Sequence, residues 1–493
     1  MKQNINNTVK RGSRDLRSRT LVAAFWSLIG GGGRGVIRFT SNLILTRLLF
    51  PEAFGQIATA MIIMTLVQVF TDTGIKTALV QNPRGNTPEF IDAAFIIALV
   101  RSLILFGLLM IVIHPFSLLY EQPVLKPLLF IMSFSLLVEG FINPALPLLI
   151  KSLRIQRQVL YSVGSQFAGF IATLILVYFF RSVIALAVGF LFTSIFRVAA
   201  SYLVISYRPK ISWDREAGAE LFHFGKYIIL NTMIGWAVLN IDRMIIGKVL
   251  DMEQLAYYSI AVYIGIFISE VLSQVFAQSY FPAVSSLAGD LQKVQSVYKK
   301  TIGLIISIMA PALMLIVLFS QDIIAILYDP RYQLAGTALF WIALKSLVGV
   351  VSDIQSGTLL AMGKPVYITT INTLGLILLA FLLPVMTANY GIVGCGVTVL
   401  GITLFLSWLQ AAALVLFLDF QPWVIVEPWL KLFGFTALMS LSYFAVSTSI
   451  TNLNPPVFVF MTIMGFVALS IITLFNRRFV EDLQVFSLSR KAA

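Results

Sequence analysis

Apolar runs of 20 residues or more recur along the chain from about residue 21 to about residue 475, with charges, prolines and turn residues gathered in the short breaks between them. A helix needs about 20 apolar residues to cross the hydrocarbon of a bilayer. The runs predict spans at 21–47, 54–80, 90–113, 124–150, 159–180, 183–205, 221–247, 254–281, 299–319, 334–361, 365–386, 391–417, 427–449 and 456–475, fourteen in all. The break between the fifth and sixth rests on Arg181 alone, and that between the tenth and eleventh on Gly363-Lys364-Pro365. Six basic residues precede the first run, as they would in a signal peptide. That run, however, continues to about Leu49 without a small-residue cleavage site, so it reads as a retained span.

Composition agrees. The chain of 493 residues is 58% hydrophobic and 12% charged, with a mean hydropathy of +0.91. Soluble domains run at about 45–50% apolar and about 25% charged. A soluble enzyme is excluded, because no globular surface absorbs that much apolar area. The expected fold is an all-α polytopic membrane protein of about 14 transmembrane helices, with no room for a soluble catalytic domain. One cysteine, Cys395, rules out an intramolecular disulfide and a cysteine-based metal cage. His114 and His223 have no metal-ligand spacing. Nothing calls for a cofactor, a metal or a nucleic-acid partner.

The net charge of +13 reads first as topology. With the N-terminus inside, cytoplasmic tails and links hold 21 of the 35 Lys and Arg residues, outer links hold five and spans hold nine. That bias places both termini in the cytoplasm. The chain then divides into a basic cytoplasmic tail at 1–20, an N-terminal lobe of six spans at 21–205 and a cytoplasmic linker at 206–220 carrying Trp213. A C-terminal lobe of six spans follows at 221–418, then two further spans in 419–475 and a cytoplasmic tail at 476–493.

The halves resemble each other. Residues 47–60, RLLFPEAFGQIATA, align with 248–261, KVLDMEQLAYYSIA, sharing Leu, Glu and Ala in register. Leu118-Leu119-Tyr120-Glu121 then matches Ile326-Leu327-Tyr328-Asp329 in the same order. An offset of six spans keeps both copies in one orientation, related by an axis along the membrane normal, with a cavity expected between them at the midplane.

Charges inside spans cost about 2.5–3.5 kcal/mol each at a helix centre on insertion scales. The basic ones are Arg34, Arg38, Lys76, Arg101, Arg197, Lys226, Arg243, Lys345 and Lys431; the acidic ones are Asp72, Glu139, Asp242, Glu270 and Asp353. Arg101, Arg197, Lys226 and Lys431 lie where a long side chain can also snorkel to the interface. Arg34 and Arg38, at i and i+4, share one face of the first span beside the run Gly30-Gly31-Gly32-Gly33. Two like charges there require an anion, water, or a carboxylate such as Asp72 or Glu139. The first option is a wet cavity accepting an anionic headgroup, for which a guanidinium has diphosphate geometry. Arg34, Arg38, Lys76, Arg101, Arg197 and Arg243 are the candidate headgroup residues. Asp72 and Lys76 are also four apart and suit an intrahelical pair. Asp242 and Arg243 are adjacent and cannot point the same way. Asp72, Glu139, Asp242, Glu270 and Asp353 are candidates for ion coupling, unranked by the sequence.

Two apparent motifs fail. Gly30, Gly32 and Gly35 fit a dinucleotide-binding GxGxxG pattern but lack its strand, and Gly357 to Lys364 has one residue too many for a phosphate-binding loop.

The segments RFTSNLILTRLLFPEAFGQIATA, TDTGIKTALVQNP at 71–83, LNIDRMIIGKVLDMEQLAYYSIA at 239–261 and LLAMGKPVY at 359–367 are similar to bacterial polysaccharide exporters of the Wzx or polysaccharide-transport type. These belong to the multidrug/oligosaccharidyl-lipid/polysaccharide flippase superfamily. The similarity covers spans one to about eleven. It implies two pseudo-symmetric six-helix bundles in a V plus two extra C-terminal helices. It also implies alternating access and outward flipping of undecaprenyl-diphosphate-linked oligosaccharides, precursors of exopolysaccharide, O-antigen or capsule. By this resemblance Arg34 and Arg38 face the cavity, and the last two spans offer a groove for the polyprenyl tail. The location it implies is the bacterial inner membrane, and the partners are membrane lipids, a polysaccharide polymerase and chain-length machinery. The rival within the superfamily is a cation-coupled multidrug exporter, which calls for an acidic pocket where this chain has a basic surplus. A membrane-embedded polymerase, ligase or glycosyltransferase would need a larger outer loop.

Overall fold

The structure is a computed structural model and describes residues 26, 29–69, 79, 82–152 and 154–449. Among these residues every regular element is helical. The helices that fall on the first six expected spans are α1 (29–48), α2 (Pro51–Val69), α3 (Pro88–Leu119), α4 (Leu125–Glu139), α5 (Ile155–Phe180) and α6 (Val183–Val204). They are followed by α7 (Arg215–Val249), α8 (Met252–Ser286), α9 (Leu291–Leu318) and α10 (Ala335–Ala361). The helix Pro365–Leu418 has 54 residues. At 1.5 Å per residue it would run about 81 Å, far more than the ~30 Å of hydrocarbon. It is two spans, α11 (365–390) and α12 (392–418), divided at Gly391, whose φ of 60° and ψ of −143° no residue with a Cβ adopts readily. The last described helix is α13 (Pro422–Ser449).

Each of the first thirteen expected runs overlaps a described helix, the second as far as Val69, while much of the first before residue 29, most of 70–80 and the run at 456–475 lie outside the described residues. Among the described residues, eight helices are long and apolar enough to cross a membrane.

One expected span differs in detail. The run 124–150 is helical only to Glu139, continues as an irregular stretch and resumes for a single turn at Leu148–Lys151. Pro144 and Pro147 cannot donate to a helical ladder, and Asn143 takes over the hydrogen bonding. Its N–H donates to Ser201 Oγ (3.1 Å), its Nδ2 to the Tyr207 carbonyl (2.8 Å), and its Oδ1 accepts from the Ala145 N–H (3.0 Å). The thin break at Arg181 is real: Arg181 caps α5 with a left-handed φ of 43°, and Ser182 caps α6 by accepting from the Ile184 N–H. Beyond this tight corner α5 and α6 pack through reciprocal glycine–threonine pairs. Thr173 bonds to the Gly169 carbonyl and lies against Gly189; Thr193 bonds to the Gly189 carbonyl and lies against Gly169.

The chain forms two compact units, Met1–Asn240 with Asp251–Ala256, and Ile241–Leu250 with Tyr257–Ala493. The sequence matches between the halves fall on equivalent corners. Residues 47–60 and 248–261 each hold a helix end, a two-residue break and a new helix start. Residues 118–121 and 326–329 each close one helix before the next span.

In the first unit the corner between α1 and α2 is filled by Leu45 and Leu49 against Val177, Ala185 and Leu186. On the side read as cytoplasmic, the start of α7 is held to the 3-10 turn Pro83–Asn86. Ala217 and Leu221 pack with Leu79, Phe90, Ala93 and Ala94. Arg84 pairs with Glu216 and Glu220 at 3.3 Å each, Asn82 Nδ2 donates to Glu220 (2.8 Å), and Lys151 Nζ donates to the Asn82 carbonyl (2.7 Å).

Candidate functional site

Three of the charged groups predicted within spans of the first unit, Arg34, Glu139 and Arg197, lie about α5. Helix α1 approaches α5 closely along one stripe. Gly30 lies so near Val159 that a Cβ there would stand 2.6 Å from Cγ2, and Gly33 lies against Val163 at 3.5 Å. One turn on, Arg34 Nη1 donates to Ser162 Oγ (3.1 Å), while Gln166 Nε2 donates to the Arg34 carbonyl (3.3 Å). Arg34 is half-buried; Arg38, a turn further, is exposed. Arg34 lies 15 residues from Leu49, roughly 22 Å from that end of α1.

A second arginine occupies the neighbouring face. Arg197 Nη1 on α6 pairs with Glu139 Oε1 at the end of α4 (2.9 Å), and the same oxygen accepts from Ser194 Oγ (3.1 Å). Tyr161, adjacent to Ser162 on α5, lies within electrostatic reach of both Arg197 and Glu139. The fully formed pair identifies Glu139 as the counterion of Arg197, whereas the Arg34 side chain has its hydrogen bond with a neutral hydroxyl. Arg101 on α3 donates to the Gln68 carbonyl of α2 (3.1 Å). The structure thus gathers Arg34, Glu139 and Arg197 about one stretch of α5 and leaves Arg101 on the α2–α3 contact. Asp72 and Lys76 lie outside the described residues.

In the second unit Asp242 is buried and accepts from Tyr258 Oη (2.7 Å) and from the Arg243 N–H (2.7 Å). Lys345 and Asp353 share α10, the former half-buried and the latter exposed. Lys431 pairs with Glu427, which also holds Lys299 (2.7 Å each). Lys226 and Glu270 lie on α7 and α8, their side chains outside the described set. Among the described residues no group of three or more His, Cys, Asp or Glu could hold a metal ion.

Sequence reasoning missed the neutral partners: Ser162, Gln166 and Tyr161 on α5, Ser194 on α6 and Tyr258 on α8. One signal was available. Val159, Ser162, Val163 and Gln166 are spaced i, i+3, i+4, i+7, a helical stripe with two polar members inside an apolar span.

Residues 44–335 match the family described as "Polysaccharide biosynthesis protein". Lipopolysaccharide biosynthesis protein WzxC of Escherichia coli K12 is 21% identical over 329 residues, 64% of this chain and 65% of that protein. Succinoglycan biosynthesis transport protein ExoT of Rhizobium meliloti is 19% identical over 319 residues, 65% of this chain and 64% of that one. The chain thus spans just under two thirds of the length of these two relatives. Among solved structures, "Lipid II flippase MurJ, inward closed conformation" superposes with a TM-score of 0.69 at 15% identity, covering 94% of this chain and 98% of that one. An inward-facing multidrug resistance MATE transporter of the MOP superfamily superposes with a TM-score of 0.58 at 14% identity, covering 76% and 92%. Likeness at such identities is a likeness of fold, and it agrees with the helical architecture built up above. With its family matched over more than half of its length, this multi-pass membrane protein belongs to the polysaccharide biosynthesis protein family.

Proposed function

We propose that the protein flips polyprenyl-diphosphate-linked oligosaccharide from the inner to the outer leaflet of the bacterial inner membrane, by alternating access and without catalysing a covalent step. The observation that carries this reading is Arg34. It is a half-buried guanidinium within membrane depth, hydrogen-bonded to the neutral Ser162 while the nearby carboxylate Glu139 is engaged by Arg197. A guanidinium with its remaining N–H groups available matches the charge and fork geometry of a diphosphate. A diphosphate cannot enter hydrocarbon without such compensation. Arg38, one turn away, adds a second cation to the same face.

The family and the names of its relatives support this substrate class: lipopolysaccharide biosynthesis for one, succinoglycan transport for another, lipid II flipping for the structural neighbour. The reading includes fourteen spans, two six-helix lobes and two appended helices. It places both termini in the cytoplasm and gives the protein working relations with a polymerase and chain-length machinery. Lys76, Arg101, Arg197 and Arg243 are further cations for the headgroup path. Asp72, Glu139, Asp242, Glu270 and Asp353 are the set from which an ion-coupling carboxylate is drawn.

The test compares cells carrying the intact protein with cells carrying Arg34→Ala/Arg38→Ala at equal level, with the downstream polymerase inactivated. The double variant accumulates lipid-linked oligosaccharide in the inner leaflet. Equal outer-leaflet exposure in both strains overturns the headgroup role. A drug-sensitivity panel separates the alternative: a multidrug exporter changes resistance to cationic compounds, a flippase does not.

A further inference from the structure

We infer that Ser162 and Gln166 are positioning residues that fix the Arg34 guanidinium for a diphosphate rather than a single phosphate, an inference that rests on the headgroup reading above. The stripe of α5 that meets α1 is Val159, Ser162, Val163, Gln166, and the stripe of α1 that meets it is Gly30, Gly33, Arg34. Both follow the i, i+3, i+4 spacing of a helix–helix contact. The glycines allow the close approach: any side chain at position 30 would push against Val159. The two apolar members of the α5 stripe meet the two glycines. The two polar members are both spent on Arg34, one on its side chain and one on its backbone.

The Gln166 bond is the informative one. A helix carbonyl such as that of Arg34 is the acceptor for the N–H four residues on, so a second donor adds little to helix stability. It does lock the register of α1 against α5 at the residue that bears the charge. Ser162 then holds one terminal guanidinium nitrogen, and its own hydroxyl proton is directed to the Val159 carbonyl (3.2 Å), which leaves a lone pair for Arg34. An arginine held at backbone and side chain presents its other N–H groups as an oriented fork. A loose one acts as a diffuse positive charge. An oriented fork distinguishes two linked phosphates from one, because bidentate contact depends on geometry; a diffuse charge attracts both in proportion to charge alone.

The experiment uses the full-length protein in nanodiscs, with two probes, a polyprenyl diphosphate and the polyprenyl monophosphate of the same chain length. Affinity for each is measured alongside the melting temperature. Ser162→Ala lowers the ratio of diphosphate to monophosphate affinity by about tenfold, the scale of one lost hydrogen bond to a charged group, and Gln166→Leu, which loses a bond to a neutral carbonyl, lowers it about fivefold. Ser162→Thr, which keeps the hydroxyl, retains the ratio, and Arg34→Ala abolishes it. Gln166→Met keeps the volume and repeats the test should the leucine variant fail to fold. A wild-type ratio in Ser162→Ala, Gln166→Leu and Gln166→Met, with the ratio lost in Arg34→Ala, overturns the positioning role and leaves the headgroup reading intact. Unchanged binding of both probes by Arg34→Ala overturns the headgroup reading, and this inference with it.

Discussion

Replacing Glu139 by Gln tests whether the deep carboxylate near α5 is a structural counterion. Glu139 Oε1 accepts from Arg197 at 2.9 Å and from Ser194 at 3.1 Å. Glutamine keeps an oxygen in that place, so the Ser194 bond survives and the substitution removes charge alone. Two unit charges 2.9 Å apart attract by about 6 kcal/mol at an effective dielectric of 20. The side chains are 38% and 26% exposed, so water already screens part of that attraction. Arg197 is seven residues from the end of α6, roughly 10 Å from the interface, within reach of partial relief by snorkelling. The net loss expected for Glu139→Gln is about 2 kcal/mol, between the values for exposed and for buried pairs. Arg197→Met costs a similar amount. The double variant loses little more than either single, giving a coupling of about 2 kcal/mol in a double-mutant cycle. Reversible unfolding in mixed micelles measures all four proteins. Additive losses would refute the pairing.

Three further outcomes follow from local geometry. Gly55→Ala drives a Cβ into the Met252 carbonyl and lowers stability by about 3 kcal/mol or more, whereas Gly107→Ala meets open space and stays within about 1 kcal/mol; folded yield in detergent compares them. Arg84→Ala releases the first turns of α7, costing about 1 kcal/mol for two exposed pairs, and hydrogen exchange there shows less difference from wild type at 1 M salt, where screening has already weakened the pairs. The side chain and N–H of Lys293 hold the Asp290 carboxyl below the usual carboxylate range. Its cap on α9 is therefore fully present at neutral pH and is lost as pH falls through that lowered value. Hydrogen exchange at the start of α9 accelerates in that acid window in the wild type and shows no such step in Asp290→Asn.

The spans were legible because apolar runs and charged breaks obey the bilayer directly, and even the corner at Arg181 needed only one residue to mark it. The interruption after Glu139 was less so: Pro144 and Pro147 stood in the sequence, yet prolines are tolerated in membrane helices, and the bonding of Asn143 to Ser201 and Tyr207 appears only in three dimensions. Arg34 announced itself by cost, since a cation within hydrocarbon demands a reason. Ser162 and Gln166 did not, because neutral polar side chains are cheap enough there to pass unnoticed. Glu139 and Arg197 lie 58 positions apart, and the choice of Arg197 over Arg34 as its partner is a matter of tertiary packing. Charges outside the spans, such as Arg84 and Glu216, read as solvated loop residues until the helix start at Arg215 brought them together.

The most direct test of the central claim is leaflet sidedness. In cells with the polymerase inactivated, the fraction of lipid-linked oligosaccharide open to an externally added glycosidase is measured with the protein absent, intact, or carrying Arg34→Ala. The account predicts a protected inner-leaflet pool when the protein is absent, cleared by the intact protein and largely retained by Arg34→Ala. A pool equally accessible in all three strains would contradict it.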